Sequence, residues 1–300
     1  MKHLQNFRMI EAVARAGSMR RAAEDMNITA SALTRRINAF EEEFGAELFE
    51  RLPGGVRLNP AGELLLHHYR TMQSDLMRVQ GQVADLLGER RGHVSIACSQ
   101  AMLPYFLPEQ IARYRAEHPG VTFTVNVRDR AQAEQELTTY SSDLVLVFEP
   151  VYLVDFEVLH IAPQPVNAVM RADHPLAEKS EIRLRDCLDA PHVAPSNKYG
   201  VRHLLDFAAR RGARRVSPVV ETESFELIRH YVMHENVIGF QIPIGLRNQQ
   251  DGAIVFRPIS EKDLPTGNLI LGQMRGRTLP VASARFAMQL SQALKIYGDT

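Results

Sequence analysis

Hydrophobic positions recur at helical spacing through roughly the first third of the chain, then shift to strand-like runs alternating with helical stretches from about His93 onward. Three regions separate by texture. Residues 1–58 read as short helices followed by a Gly-rich hairpin, residues 59–90 as one long helix, and residues 92–300 as an α/β unit. The long helix is the best marked. Asn59 is a good N-cap, Pro60 suits the first helical position, and no further proline occurs until Pro104. Along it Leu65, Tyr69, Met72, Leu76, Val79, Val83 and Leu86 are spaced 4, 3, 4, 3, 4, 3. This heptad seam predicts pairing with a second copy of the same helix over residues 59–91, and hence a homodimer. The alternative is an amphipathic helix lying on its own domain, whose stripe is usually wider and drifts at 3.6 residues per turn.

The remainder reads β-α-β-α-β: a strand at His93–Ser99, a helix at Leu103–His118, a strand at Val121–Val127, a helix at Gln132–Tyr140 and a fully apolar strand at Leu144–Phe148. A second unit starts near Pro163-Gln164-Pro165, with strands at Val166–Arg171, His192–Pro195, Val219–Glu221 and Val237–Gln241. Its helices are Leu184–Leu188, Val201–Arg211 and Phe225–Glu235, the last ended by a left-handed Asn236. The strand Asn268–Met274 and the helix Ala282–Ile296 then return to the first unit. Helices on both faces of a largely parallel sheet are expected in each of two Rossmann-like lobes, 92–162 with 268–300 and 163–267. Two crossings between lobes imply a hinge and a cleft.

Composition changes this picture little. Of 300 residues 45% are hydrophobic, enough for two or three cores, and 35 basic residues balance 35 acidic ones. Any nucleic-acid reading therefore rests on local charge. Two cysteines far apart, Cys98 and Cys187, exclude a disulfide scaffold and fit a reducing compartment. The first residues lack the apolar core of a signal peptide, and no apolar run reaches the roughly 18 residues of a membrane span. A cytoplasmic protein without a membrane role is expected.

Residues 18–37 carry the functional signal. Ser18 caps one helix, Asn27 and Ile28 make a turn, and Thr29 caps a second helix with Leu33, Ile37 and Phe40 facing inward. This is a helix-turn-helix, whose second helix enters the major groove of DNA. Residues 1–40 hold seven basic residues and three acids, a local charge of +4 in a neutral chain.

Beyond that, the first 65 residues resemble the winged helix-turn-helix of LysR-type regulators. The matching text is Phe7, Ala12-Val13, Gly17-Ser18, Arg21-Ala22-Ala23-Glu24, Asn27-Ile28, Leu33-Thr34-Arg35, Ile37, Glu41, Gly45, Leu48-Phe49-Glu50-Arg51 and Arg57-Leu58-Asn59-Pro60-Ala61-Gly62. His174-Pro175-Leu176-Ala177 and Gly239 before Pro243 extend the likeness into the last two-thirds. The resemblance implies a linker helix, a periplasmic-binding-protein-like effector domain, binding of a palindromic DNA operator as a homodimer or homotetramer, and a small-molecule effector. RNA polymerase is a further candidate partner. The DNA-contacting residues expected by their chemistry are Arg20, Arg21, Thr29, Ala30, Ser31, Thr34 and Arg35, with Arg51, Gly54, Gly55 and Arg57 on the wing. Where relatives often carry Gln, this chain has Ala30, so a bidentate adenine contact is missing there and methyl contact with thymine remains.

For the effector, short polar groups at helix starts favour an anion: Ser99, Gln100 and Ala101 after the first strand, and Ser196 and Asn197 before a second-lobe helix. Phe148, Thr222, Ser224 and Gln241 end strands or start helices and are further candidates, each with an ordinary role as cap or turn residue. A small carboxylate or an aromatic compound is the expected ligand. Both cysteines read as core, against thiol redox sensing. Glu226, His230 and His234 recur on one helix face, yet a solvated face explains them better than a metal. No HExxH, GxSxG, phosphate-cradling glycine loop or CxxC occurs, so neither catalysis nor a cofactor has a candidate. A solute-binding receptor without a DNA role is the alternative from another class, disfavoured by the basic helical head.

Overall fold

Three short helices open the chain, and capping side chains set where two of them begin. The computed structural model describes residues 2–86, 91–153, 155–246 and 252–297 and divides into two units, Met1–Leu76 and Met77–Thr300. In the first, α1 (Lys2–Ala16), α2 (Met19–Asp25) and α3 (Ala30–Phe44) pack around Ile10, Val13, Leu33, Ile37 and Leu48. Ser18 Oγ accepts from the Arg21 amide at 3.5 Å, and Thr29 Oγ1 from the Ala32 amide at 3.2 Å. Asn27, at φ 53°, supplies the left-handed residue between α2 and α3. A hairpin of β1 (Phe49–Leu52) and β2 (Gly55–Leu58) follows. It leads into α4 (Pro60–Leu86), where Asn59 Oδ1 accepts from the Gly62 amide at 2.9 Å.

The predicted seam along α4 divides. Leu65 and Tyr69 belong to the core of the head: Tyr69 is fully buried and packs on the Phe7 ring at 5.1 Å between centroids, and Phe7 in turn meets Phe40. Heptad spacing specifies one apolar face but not what covers it, and here the head's own core covers the first turns. Met72 is half-buried. Leu76, Val79 and Val83 remain exposed at 53%, 44% and 49%. The side chain of Leu86 and the expected last turn, residues 87–90, lie outside the described residues.

The second unit contains β3 (Arg91–Cys98), α5 (Phe106–Glu117), β4 (Gly120–Val127), α6 (Arg130–Thr138), β5 (Leu144–Phe148), β6 (Phe156–Gln164), β7 (Asn167–Arg171) and α7 (Leu184–Asp189). It continues with β8 (Val193–Pro195), α8 (Gly200–Arg211), β9 (Val220–Thr222), α9 (Phe225–His234), β10 (Gly239–Gln241), β11 (Ile254–Pro258), β12 (Gly267–Met274) and α10 (Val281–Leu294). The larger sheet has the order β4-β3-β5-β12-β6. β3 runs parallel to β4 and β5, but β12 is antiparallel to both β5 and β6. In the other lobe β7 pairs antiparallel with β10 and β11, while β8 and β9 are parallel. The sheets are therefore mixed rather than largely parallel. The reason is topological: β12 re-enters the first lobe from the second and meets β5 head to tail.

Two strands, β6 and β11, go beyond the sequence reading. The expected left-handed Asn236 is absent. α9 ends on Glu235 with extended backbone, φ −136°, because the chain runs straight on to bridge Ile238 to His192. At the start of β5 lies a buried ion pair, Arg277–Asp143, 2.5 Å apart. Asp143 also accepts from Ser283 Oγ at 2.8 Å and from the Ser95 amide at 3.2 Å, so its remaining lone pairs are satisfied.

Candidate nucleic-acid interface and ligand cleft

On the head, α3 turns Leu33, Ile37 and Phe40 inward, which leaves Ser31, Arg35 and Asn38 on the outward face at i, i+4, i+7. Thr29 and Ser31 are exposed at the start of that face, with hydroxyls 3.3 Å apart. Arg35, Arg36, Arg21 and Arg51 are exposed and make no ion pair among the described residues. Arg20 and Arg57 are different. Arg20 pairs with Glu24 at 3.1 Å on its own helix, and Arg57 with Glu50 across the hairpin at 2.6 Å. Thr34 donates its hydroxyl to the Ala30 carbonyl at 2.8 Å, so helix geometry already uses it. Ala30 is half-buried against the core.

The wing glycines have distinct jobs. Gly54 sits at φ +132°, open to glycine but strained for other residues, and forms the exposed tip. Gly55 lies against the corner between α1 and α2. A Cβ there would meet the Gly17 carbonyl oxygen at 2.2 Å, and the Val56 amide donates to that same oxygen at 2.9 Å. Gly55 thus fixes the wing to the body of the head. Asn38 was missed by sequence reasoning; its signal was the i+7 position on the outward face.

In the α/β unit, the carboxyl end of β3, the start of α6 and the end of β5 meet the N-terminal turns of α8 and α9. Ser99, Ala101, Arg128, Arg130 and Phe148 face Tyr199, Gly200, Phe225 and Ile242 across a void of about 10 Å³. That is about the least space a single water requires. The lobes are drawn together by direct contacts. Gln100 Oε1 accepts from the Phe225 amide at 3.1 Å, and a Cβ on Gly200 would lie 2.5 Å from the Phe148 carbonyl oxygen; on the second-lobe side Tyr199 and Phe225 meet edge to face at 5.3 Å.

Two arginines stand in this cleft that sequence reasoning missed. Arg128 is held by Glu136 at 2.5 Å. Arg130 donates Nη1 to the Glu149 carbonyl at 2.8 Å, while its Nε is buried without a hydrogen-bond partner. Burial lowers the Arg130 pKa, against the opposing pull of Glu149, Glu134 and Asp129. The overlooked signal was Arg128-Asp129-Arg130 at the carboxyl end of β4, the edge where α/β sheets take ligands.

The other predicted cleft residues scatter. Ser196 is buried with an unpartnered Oγ and Asn197 is exposed; neither lines the void. Thr222 Oγ1 accepts from the Ser224 amide at 3.0 Å, and Ser224 Oγ caps α9 through the Leu227 amide at 3.2 Å. Gln241 is buried and its Oε1 accepts from the Ile242 amide at 2.9 Å. Helix-start and strand-end chemistry placed these five side chains at turns without saying which turns face the other lobe. Both cysteines are buried, and burial pushes each thiol up to about 12, far from the reactive thiolate range. Glu226 is engaged by Arg229 and by His230, the latter at 3.3 Å, on the surface of α9.

A winged helix-turn-helix followed by a two-lobed α/β unit defines a DNA-binding regulator with an effector domain. Residues 4–63 match the model of bacterial regulatory helix-turn-helix proteins of the lysR family, and residues 87–295 match the LysR substrate binding domain. The chain belongs to the LysR family of transcriptional regulators. It is 31% identical over 210 residues to the RuBisCO operon transcriptional regulator of Allochromatium vinosum, covering 70% of this chain and 69% of that protein. A full-length OxyR variant from Pseudomonas aeruginosa has the same fold, with a TM-score of 0.68, 21% identity and coverage of 98% and 95%. So does CbnR complexed with its target DNA, at 0.59, 17% identity and coverage of 97% and 99%. A receptor without a DNA role is not favoured. Among the described residues no helix is long and apolar enough to cross a membrane.

Proposed function

We propose that this regulator reads duplex DNA with the outward face of α3 and the hairpin tip, and releases or re-angles those contacts when a small anion enters the inter-lobe cleft. The observation that supports the first half is the row Ser31, Arg35 and Asn38, flanked by the unneutralised Arg36 and Arg51. Arg35 reaches a base edge or a phosphate, Thr29 and Ser31 contact the backbone, and the Gly54 tip enters the minor groove between Arg51 and Arg57. The second half is supported by Arg130, whose buried Nε has no hydrogen-bond acceptor within the protein and lies at the cleft, where an anion can supply one. A carboxylate on Arg130, with Ser99 beside it, is the arrangement this cleft favours.

Pairing of two copies along Leu76, Val79 and Val83 doubles the head, so that a roughly palindromic operator is bound by a homodimer, or by a homotetramer built from such dimers. The protein works in the cytoplasm and catalyses no reaction. Arg35→Ala is the direct test. Operator affinity should fall about 10- to 100-fold, as for loss of a bidentate base contact worth about 1–3 kcal/mol. A footprint unchanged at moderate salt would refute the assignment of α3.

A further inference from the structure

Away from the inter-lobe cleft, the second lobe carries a pocket of about 340 Å³ between α7, the end of α8 and the turn before β12. That volume lies within the range of small-molecule sites, roughly 300–1,000 Å³. Five of its lining residues are cationic, Arg183, Arg185, Arg211, Arg214 and Lys262, against one carboxylate, Asp263. The cations are not equally committed. Arg183 is clamped to Asp263 at 2.6 Å through both nitrogens, and Arg214 is paired with Asp189. Arg185 touches Asp186 only at 3.5 Å, and Asp186 is already bonded to Lys179 at 2.9 Å. Arg211 lies over the Phe207 ring at 5.9 Å without an ion pair, and Lys262 makes none among the described residues. Three exposed cations from three separate segments thus line one pocket, Arg211 and Lys262 without an ion pair and Arg185 with only a long contact to a carboxylate it shares with Lys179.

A helix dipole does not account for this. Arg211 closes the last turn of α8, where a cation is favoured. Arg185 and Lys262 come from elsewhere and gain nothing from that terminus. Like charges brought together on a surface repel unless an anion joins them. Leu184, Leu188 and Ala208 add apolar surface to the lining, on which a ring can rest.

We propose that this pocket is a second ligand site and takes a small polyphosphate anion, the chemistry shared by inorganic pyrophosphate and nucleoside di- and triphosphates. Guanidinium groups fork onto phosphate oxygens in pairs, and Lys262 adds a point charge. The site is separate from Arg130, so it stands whether or not the cleft reading holds.

The test is calorimetric titration of the full chain at low salt with pyrophosphate and, separately, with ATP. The comparison is between the unchanged protein, Arg211→Gln with Lys262→Gln, Arg211→Lys with Lys262→Arg, and Arg130→Gln. Saturable binding of at least one anion is expected. It should weaken at least tenfold in the glutamine pair and persist in the charge-preserving pair and in Arg130→Gln. ATP binding tighter than pyrophosphate assigns the ring to the apolar surface, and equal or weaker binding assigns phosphate alone. The proposal is overturned by absence of saturable binding, by equal displacement with sulfate at matched ionic strength, by an unchanged affinity in the glutamine pair, or by loss in Arg130→Gln instead.

Discussion

Arg35 and Arg130 show how one residue type serves two ends in this chain. Arg35 is solvated and uncommitted, so its worth is expressed only when a phosphate or base edge arrives. Arg130 is partly desolvated beforehand, with one nitrogen fixed on Glu149 and another left without an acceptor. A third polar residue is built to stay neutral. His174 is buried, and its Nδ1 accepts from the Leu176 amide at 3.1 Å. Burial holds its pKa below the ordinary value, only partly offset by Asp173. The unfolded chain therefore takes up this proton first as pH falls. The stability contributed by the neutral ring is complete above about pH 6.5 and declines as pH drops from there through the folded value. His174→Asn keeps an acceptor in place without the titration. Its urea midpoint should fall less than that of the unchanged protein between about pH 7.5 and 5.5, and equal declines would count against this role.

At the scale of elements, α4 is the instructive case. Its seven-position seam was legible as an apolar stripe, but a stripe does not declare its partner. The head's own core took Leu65 and, against Phe7 of α1, Tyr69, and left Leu76, Val79 and Val83 uncovered. Substitutions should separate the two parts. Tyr69→Ala removes a buried ring and should cost the head about 3–5 kcal/mol, read as a lower unfolding midpoint, without requiring a change in subunit number. Leu76→Lys with Val83→Lys should leave that midpoint nearly unchanged and convert dimers to monomers in sedimentation; an unaltered profile would remove this helix from pairing. Caps were the most readable signals: Ser18, Thr29 and Asn59 each accept the amide their position foretold. β6 escaped notice because Glu157, His160 and Pro163 interrupt its apolar residues, and β11 because only five residues mark it. Ser196, Thr222 and Ser224 were visible as helix starts, but which starts face the opposite lobe depends on how the lobes fold against each other. Arg128 and Arg130 were hidden for the same reason.

For the whole α/β unit, the chain's return through β12 is decisive. The Glu149 amide donates to the Asn268 carbonyl at 2.9 Å, the Asn268 amide donates to Glu149 Oε1 at 2.7 Å, and the Glu149 carbonyl is the group Arg130 holds. One of the two inter-lobe crossings is thereby tied to the guanidinium that we expect to meet the ligand. Arg130→Gln should abolish thermal stabilisation by small carboxylates and aromatic acids while leaving DNA affinity without ligand within about twofold. A shift that survives the change would place the ligand elsewhere.

The void of about 10 Å³ between the lobes has a kinetic corollary. A compound of metabolite size has no room to dock and must wait for the lobes to part, so only the minor, opened population captures it. In stopped-flow mixing, the observed rate should level off at high concentration of the compound, at a ceiling set by the protein's own opening and shared by chemically unrelated compounds.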